Sequence, residues 1–73
     1  MKYTLSFFTK DAEVLRCFSI TTGKFATLPE ARRAAWIRGE LPRAQAYSVL
    51  IEAEDGSSET WLRDGLMWKK QNS

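Results

Sequence analysis

"YSVLIEAEDGSSETWLRDGLMWKK", Tyr47 to Lys70, holds the alternation and the turns that decide the fold. Tyr47, Val49, Ile51 and Ala53 recur at every second position, the period of a half-buried strand. Asp55-Gly56 and Asp64-Gly65 each stand between strand-like runs, the strongest short hairpin signal. With two-residue loops at both sites, Ile51 pairs with Thr60, Val49 with Leu62, and Leu62 with Met67. These share a face with Tyr47, read as the face under a helix. On the other face Leu50 opposes Trp61, Trp61 opposes Trp68, and Arg63 opposes Leu66. One pair argues against this register, because Glu52 would meet Glu59. A longer first loop would shift the register and could flip the faces of the strand. The Trp61–Trp68 pairing depends only on the second turn.

Upstream, "LPEARRAAWIRGELPRA", residues 28 to 44, reads as a short helix. Thr27-Leu28-Pro29-Glu30 matches the capping box, threonine followed three residues later by glutamate. Pro29 sits in the first turn, where a missing N–H costs nothing, and Gly39 with Pro42 supplies the stop. Leu28, Ala31 and Ala35 form a narrow apolar stripe whose small residues let the helix lie close on a sheet. Trp36 borders that stripe and Ile37 lies nearly opposite it, so at least one of the two is partly exposed.

At the start of the chain Tyr3, Leu5 and Phe7 alternate as a half-buried strand. "TKDAE" turns the chain, Val14 to Ile20 return as a second strand, and "TTGKFA" is read as a loop into the helix. The inward face of the second strand is ambiguous. Val14, Phe18 and Ile20 share one face with Arg16, while Leu15 and Cys17 share the other with Ser19. A bulge would reconcile them. The order is ββαβββ, or ββαββ if the last strand frays. The expected fold class is α+β, an antiparallel sheet with one helix packed on one face, as a single domain over residues 1–73.

Apolar residues make up 44% and aromatic residues 12% of the chain, enough for a folded core and too many for a disordered one. A chain this small buries only about 60% of its unfolded surface, so large apolar groups can remain for a partner to cover. Eleven basic residues against nine acidic ones leave +2, too weak by itself to mark a nucleic-acid protein. Arg32, Arg33, Arg38 and Arg43 nonetheless cluster mid-chain, and Glu52, Glu54, Asp55 and Glu59 later. A single cysteine, Cys17, excludes an internal disulfide and suits a reducing compartment. "MKYTLSFFTKD" has no uninterrupted apolar run, and no stretch approaches a membrane span of about 20 residues, so a soluble cytoplasmic protein is expected.

Absences bound the chemistry. Without histidine the commonest general base and metal ligand are missing, and Cys17 lacks the partner a thiol nucleophile needs. The carboxylates around Asp55 read as a solvated hairpin end, and the four glycines form no phosphate loop. The reading is therefore of no enzyme, no cofactor and no metal.

Two surfaces remain as binding candidates. The helix offers Arg32, Arg33, Trp36, Arg38 and Arg43, a combination suited to phosphate contacts, base stacking or a protein hot spot. The competing account is ordinary solvation, with Arg32 stacked on Trp36 one turn later. The uncovered sheet face offers Leu50, Trp61, Arg63, Leu66 and Trp68, where side-by-side tryptophans call for a partner or a second copy of the chain. A flipped register would instead bury them. In size, lack of catalytic groups and helix-on-sheet layout the whole chain resembles small proteins of phages and mobile elements, anti-CRISPR proteins among them. That resemblance implies occlusion of a partner's surface and assigns no individual residue. The expected function is thus a non-catalytic module that binds protein as an inhibitor or adaptor. The alternative is nucleic-acid binding through the arginine helix.

Overall fold

Tyr3, Leu5 and Phe7, the alternating residues of the first strand, are all buried. A computed structural model describes residues 1–40, 46–65 and 67–71 of the chain. Its elements are β1 (Lys2–Asp11), β2 (Val14–Lys24), α1 (Leu28–Glu40), β3 (Ser48–Ala53), β4 (Ser58–Asp64) and β5 (Met67–Lys70). The strands form one antiparallel sheet in the order β2-β1-β3-β4-β5, and α1 lies on one face over β1 and β3. The fold is α+β, with the expected ββαβββ order. Leu5 on β1, and Val49 and Ile51 on the central strand β3, are at most 1% exposed. Leaving water is worth about 1.5–3 kcal/mol for each. Ala31 and Ala35, fully buried, close the core from the helix side, as their small size allows.

The first hairpin is longer than its alternation suggested. β1 runs on to Asp11, and only Ala12 and Glu13 turn the chain, with Ala12 at φ 58°. β2 absorbs "TTGK", read above as loop, because pairing from Thr21 to Lys24 satisfies its backbone along β1. The bulge that would reconcile the two faces of β2 exists. The register shifts between Phe7 and Phe8, leaving Phe18 as the extra residue, its ring 6.4 Å from that of Phe7.

The helix begins where the capping box placed it. Glu30 N–H donates to Thr27 Oγ1 at 3.4 Å, while the Glu30 carboxylate accepts from Ala26 N–H at 3.1 Å rather than from Thr27 itself. Ile37 is the exposed member of the Trp36–Ile37 pair.

The β3–β4 hairpin corrects the expected register. Ala53 N–H donates to Ser57 C=O, leaving Glu54, Asp55 and Gly56 in the loop, with Gly56 at φ 96°. Asp55 Oδ1 accepts from both the N–H (2.9 Å) and the hydroxyl (2.7 Å) of Ser57, which holds this wider turn. Glu52 now meets Ser58, Ile51 meets Glu59 and Val49 meets Trp61. The one-residue shift turns β4 over. Trp61 and Arg63 go under the helix, and Leu62, expected there, goes to the open side. The second turn also differs: Asp64 pairs with Met67, so Arg63 faces Trp68 and Trp61 faces Lys70. That is a two-residue slip from the expected register, which keeps Trp61 and Trp68 on one face but not directly opposed.

Candidate functional site

The residues singled out from the sequence fall into three groups. Arg32, Trp36, Trp61, Arg63 and Trp68, expected on two separate surfaces, meet in one seam between α1 and the β4–β5 hairpin. Arg32 on α1 donates from Nε to Glu59 Oε1 at 2.7 Å and from Nη2 to Oε2 at 3.0 Å, a bidentate pair. Lys70 Nζ lies 3.7 Å from the same carboxylate, whose side chain is 6% exposed. The Arg32 guanidinium also sits 5.4 Å over the Trp61 ring, so it stacks there and not on Trp36. Trp36 meets Trp61 edge to face, centroids 5.5 Å apart at 83°. At the far end of the helix Arg63 Nη1 donates to the Gly39 carbonyl at 3.0 Å and its guanidinium lies 5.7 Å over Trp68. The placement of Trp61, Arg63 and Trp68 on an uncovered face is thereby overturned.

The electrostatics of the seam follow from its geometry. The Arg32 hydrogen bonds hold the Glu59 carboxyl below the usual range, against the opposing pull of burial, and Glu59 in turn raises Arg32. The Trp61 indole and the Lys70 charge act on Glu59 in the same direction more weakly. The indole stays outside hydrogen-bond geometry: among the described residues the buried Nε1–H groups of Trp36, Trp61 and Trp68 have no acceptor. Beside the seam, a cleft of about 240 Å³ opens between Leu28, Tyr3 and the β3–β4 hairpin, walled by Arg32, Glu59 and Lys70. Asp55 and Ser57 line its rim, with the Ser57 hydroxyl donating to Asp55 at 2.7 Å, and the Glu59 carboxylate on its wall is paired with Arg32.

The second group stays at the surface of the helix. Arg33 and Arg38 are exposed, and Arg38 Nη1 reaches Thr21 Oγ1 at 3.3 Å. Arg43 and Leu66 lie outside the described residues. Among the described arginines of the candidate set, then, Arg32, Arg38 and Arg63 all spend donors within the molecule.

Leu50 forms the third group, on the face of the sheet that α1 leaves open. Pairing aligns it there with Ile20 and, one step along, with Phe8, Cys17 and Leu62. Leu15 and Met67 extend the same face at its corners. Ile20, Leu15 and Met67 are 65, 52 and 71% exposed, high for such side chains. The small residues Ser6 and Ser48 fill the middle of this face and are buried between their larger neighbours. The sequence reading missed this set except for Leu50. Its signal was the second phase of each alternation, Leu15 and Cys17 before the bulge and Ile20 after it.

Among the described residues no helix is long and apolar enough to cross a membrane, and no three His, Cys, Asp or Glu side chains stand together as a metal site. Comparison with protein-family models, curated proteins and solved structures yields no match. The class defined by fold and surface is an α+β protein with one helix-covered and one open sheet face.

Proposed function

We propose that this chain is a non-catalytic module that binds a protein partner through the helix-free face of its sheet, as an inhibitor or adaptor. The observation that carries the reading is the exposure of Leu15, Ile20 and Met67 on one face with Phe8, Leu50 and Leu62, and no layer of described residues above them. Large apolar side chains exposed on one face, here interspersed with Lys10, Asp64 and Lys69, are a feature of interaction sites on soluble proteins. Occlusion of a partner's surface, in the manner of anti-CRISPR proteins, is the concrete form of this role. Nucleic-acid binding ranks behind it, because Arg32, Arg38 and Arg63 are engaged internally.

The test is capture from a native lysate, with and without nuclease, on the wild type and on Ile20→Thr/Met67→Thr. Both positions are exposed and threonine keeps strand propensity, so stability should move by no more than about 0.5 kcal/mol per site. A nuclease-resistant protein should be held by the wild type and lost from the variant. Equal retention by both would overturn the reading, and nuclease-sensitive capture would move it to nucleic acid.

A further inference from the structure

The two edges of the sheet are unequally defended. β5 is four residues long and ends in Lys69 and Lys70, short and charged as protected edges are. β2 is eleven residues long, and its charges are Arg16 and Lys24 alone. Its free backbone groups can be located. Lys2 and Phe8 accept from Glu54 N–H (3.1 Å) and Tyr47 N–H (2.8 Å) on the β3 side. Their partners on the other side, Lys24 and Cys17, therefore turn N–H and C=O away from β1. Alternation adds Leu15, Ile20 and Thr22 to the outward-facing set.

We propose that two copies of this chain join through β2, antiparallel about a two-fold axis, into one continuous sheet. The bulge selects the register. Because Phe18 is the extra residue, Lys24, Thr22 and Ile20 share the open face with Cys17 and Leu15. Two strands with the same phase break stay in step throughout only when the bulges face each other. Cys17 then pairs with Ile20 of the second copy, Leu15 with Thr22, and Glu13 with Lys24. The Cys17–Ile20 and Leu15–Thr22 pairs use the outward N–H and C=O groups and lie on the open face, while Glu13 stands in the turn just before β2, opposite Lys24 at the strand's end. Between them, on the helix side, Arg16 meets Thr21 and Phe18 meets Ser19. A one-residue slip sets open-face side chains against helix-face ones, and a two-residue slip breaks the phase at the centre. In the selected register Glu13 and Lys24 form two symmetry-related pairs of opposite sign, and no like charges meet. This pairing does not rest on the function proposed above, since it uses the edge of the sheet and not its face.

Sedimentation velocity over a concentration series should show a reversible dimer of the wild type. Glu13→Lys alone, or Lys24→Glu alone, sets like charges opposite each other twice. Each should move the monomer–dimer transition up by about tenfold in concentration. Mixing the two variants should restore a dimer, because every charge pair across the axis is again opposite in sign. Thr22→Pro removes an outward N–H that β1 does not use, and should abolish the dimer while leaving the circular dichroism unchanged. The register is read by Arg16→Cys/Thr21→Cys in a Cys17→Ser background. Non-hydrogen-bonded neighbours stand about 4.5 Å apart at Cα, within disulfide reach, so mild oxidation should give a covalent dimer. A wild type that sediments as a monomer throughout overturns the proposal. So does a dimer indifferent to the edge variants, or one lost only with Ile20→Thr/Met67→Thr, which would place the contact on the sheet face.

Discussion

Glu59 shows at one residue how the seam is balanced. Its carboxyl is nearly covered, yet Arg32 keeps it ionised and below the ordinary glutamate value of about 4.3. A carboxyl lowered in the folded state stabilises the fold fully above the unfolded value, and that contribution is lost as pH falls through the folded one. The melting temperature of the wild type should therefore fall more steeply below about pH 4.3 than that of Glu59→Gln. Thermal melts of the two proteins from neutral to acid pH would show it, and parallel curves would remove Glu59 from the account. Arg32→Ala leaves the carboxylate with Lys70 alone at 3.7 Å. Its cost lies between those of a surface and a buried pair, about 2 kcal/mol, measurable by urea unfolding.

The helix is an element held at both ends by different means. At its start the Thr27 hydroxyl accepts from Glu30 N–H, so Thr27→Ala should lower stability by about 0.5–2 kcal/mol. An unchanged denaturation midpoint would show that the long 3.4 Å bond contributes nothing. At its end Gly39 is needed for space and not for backbone freedom. A Cβ there would lie 3.0 Å from Trp68 Cζ2, tighter than normal contact. Gly39→Val should push Trp68 off the helix and cost about 1–3 kcal/mol, the range for overpacking. Tryptophan emission reads this directly, since displacement of Trp68 into water shifts it to the red.

Among the described residues the buried interior is the cluster around Leu5, Val49 and Ile51, with the partly buried tryptophan seam packed against it. Truncating a fully buried tryptophan costs about 3–5 kcal/mol, so removing two partly buried ones together takes much of the roughly 4–11 kcal/mol a domain of this size has to lose. Trp61→Thr/Trp68→Thr should therefore unfold the chain or leave it marginal, as seen by circular dichroism. The exposed double change Ile20→Thr/Met67→Thr should leave the fold intact. A folded, partner-deficient Trp61/Trp68 variant would return those side chains to the open face and reverse the register of β4.

What the sequence determined by itself was local: the alternation in β1 and β3, the capping box at Thr27, the two Asp-Gly turns and, from these, the ββαβββ order. Each of these signals is complete within a few neighbouring residues. The faces of β4 and β5 were not legible in that way. Asp55-Gly56 serves a two-residue or a three-residue loop equally well, and the two differ by one residue in register. The tertiary structure decided between them through the Arg32–Glu59 pair across the seam, with the local Asp55–Ser57 bonds holding the wider turn. With that step Trp61, Arg63 and Trp68 passed to the helix-covered face, and the open face fell to Phe8, Ile20, Leu50 and Leu62. A strand has period two, so one residue of loop length decides which of its side chains meet water.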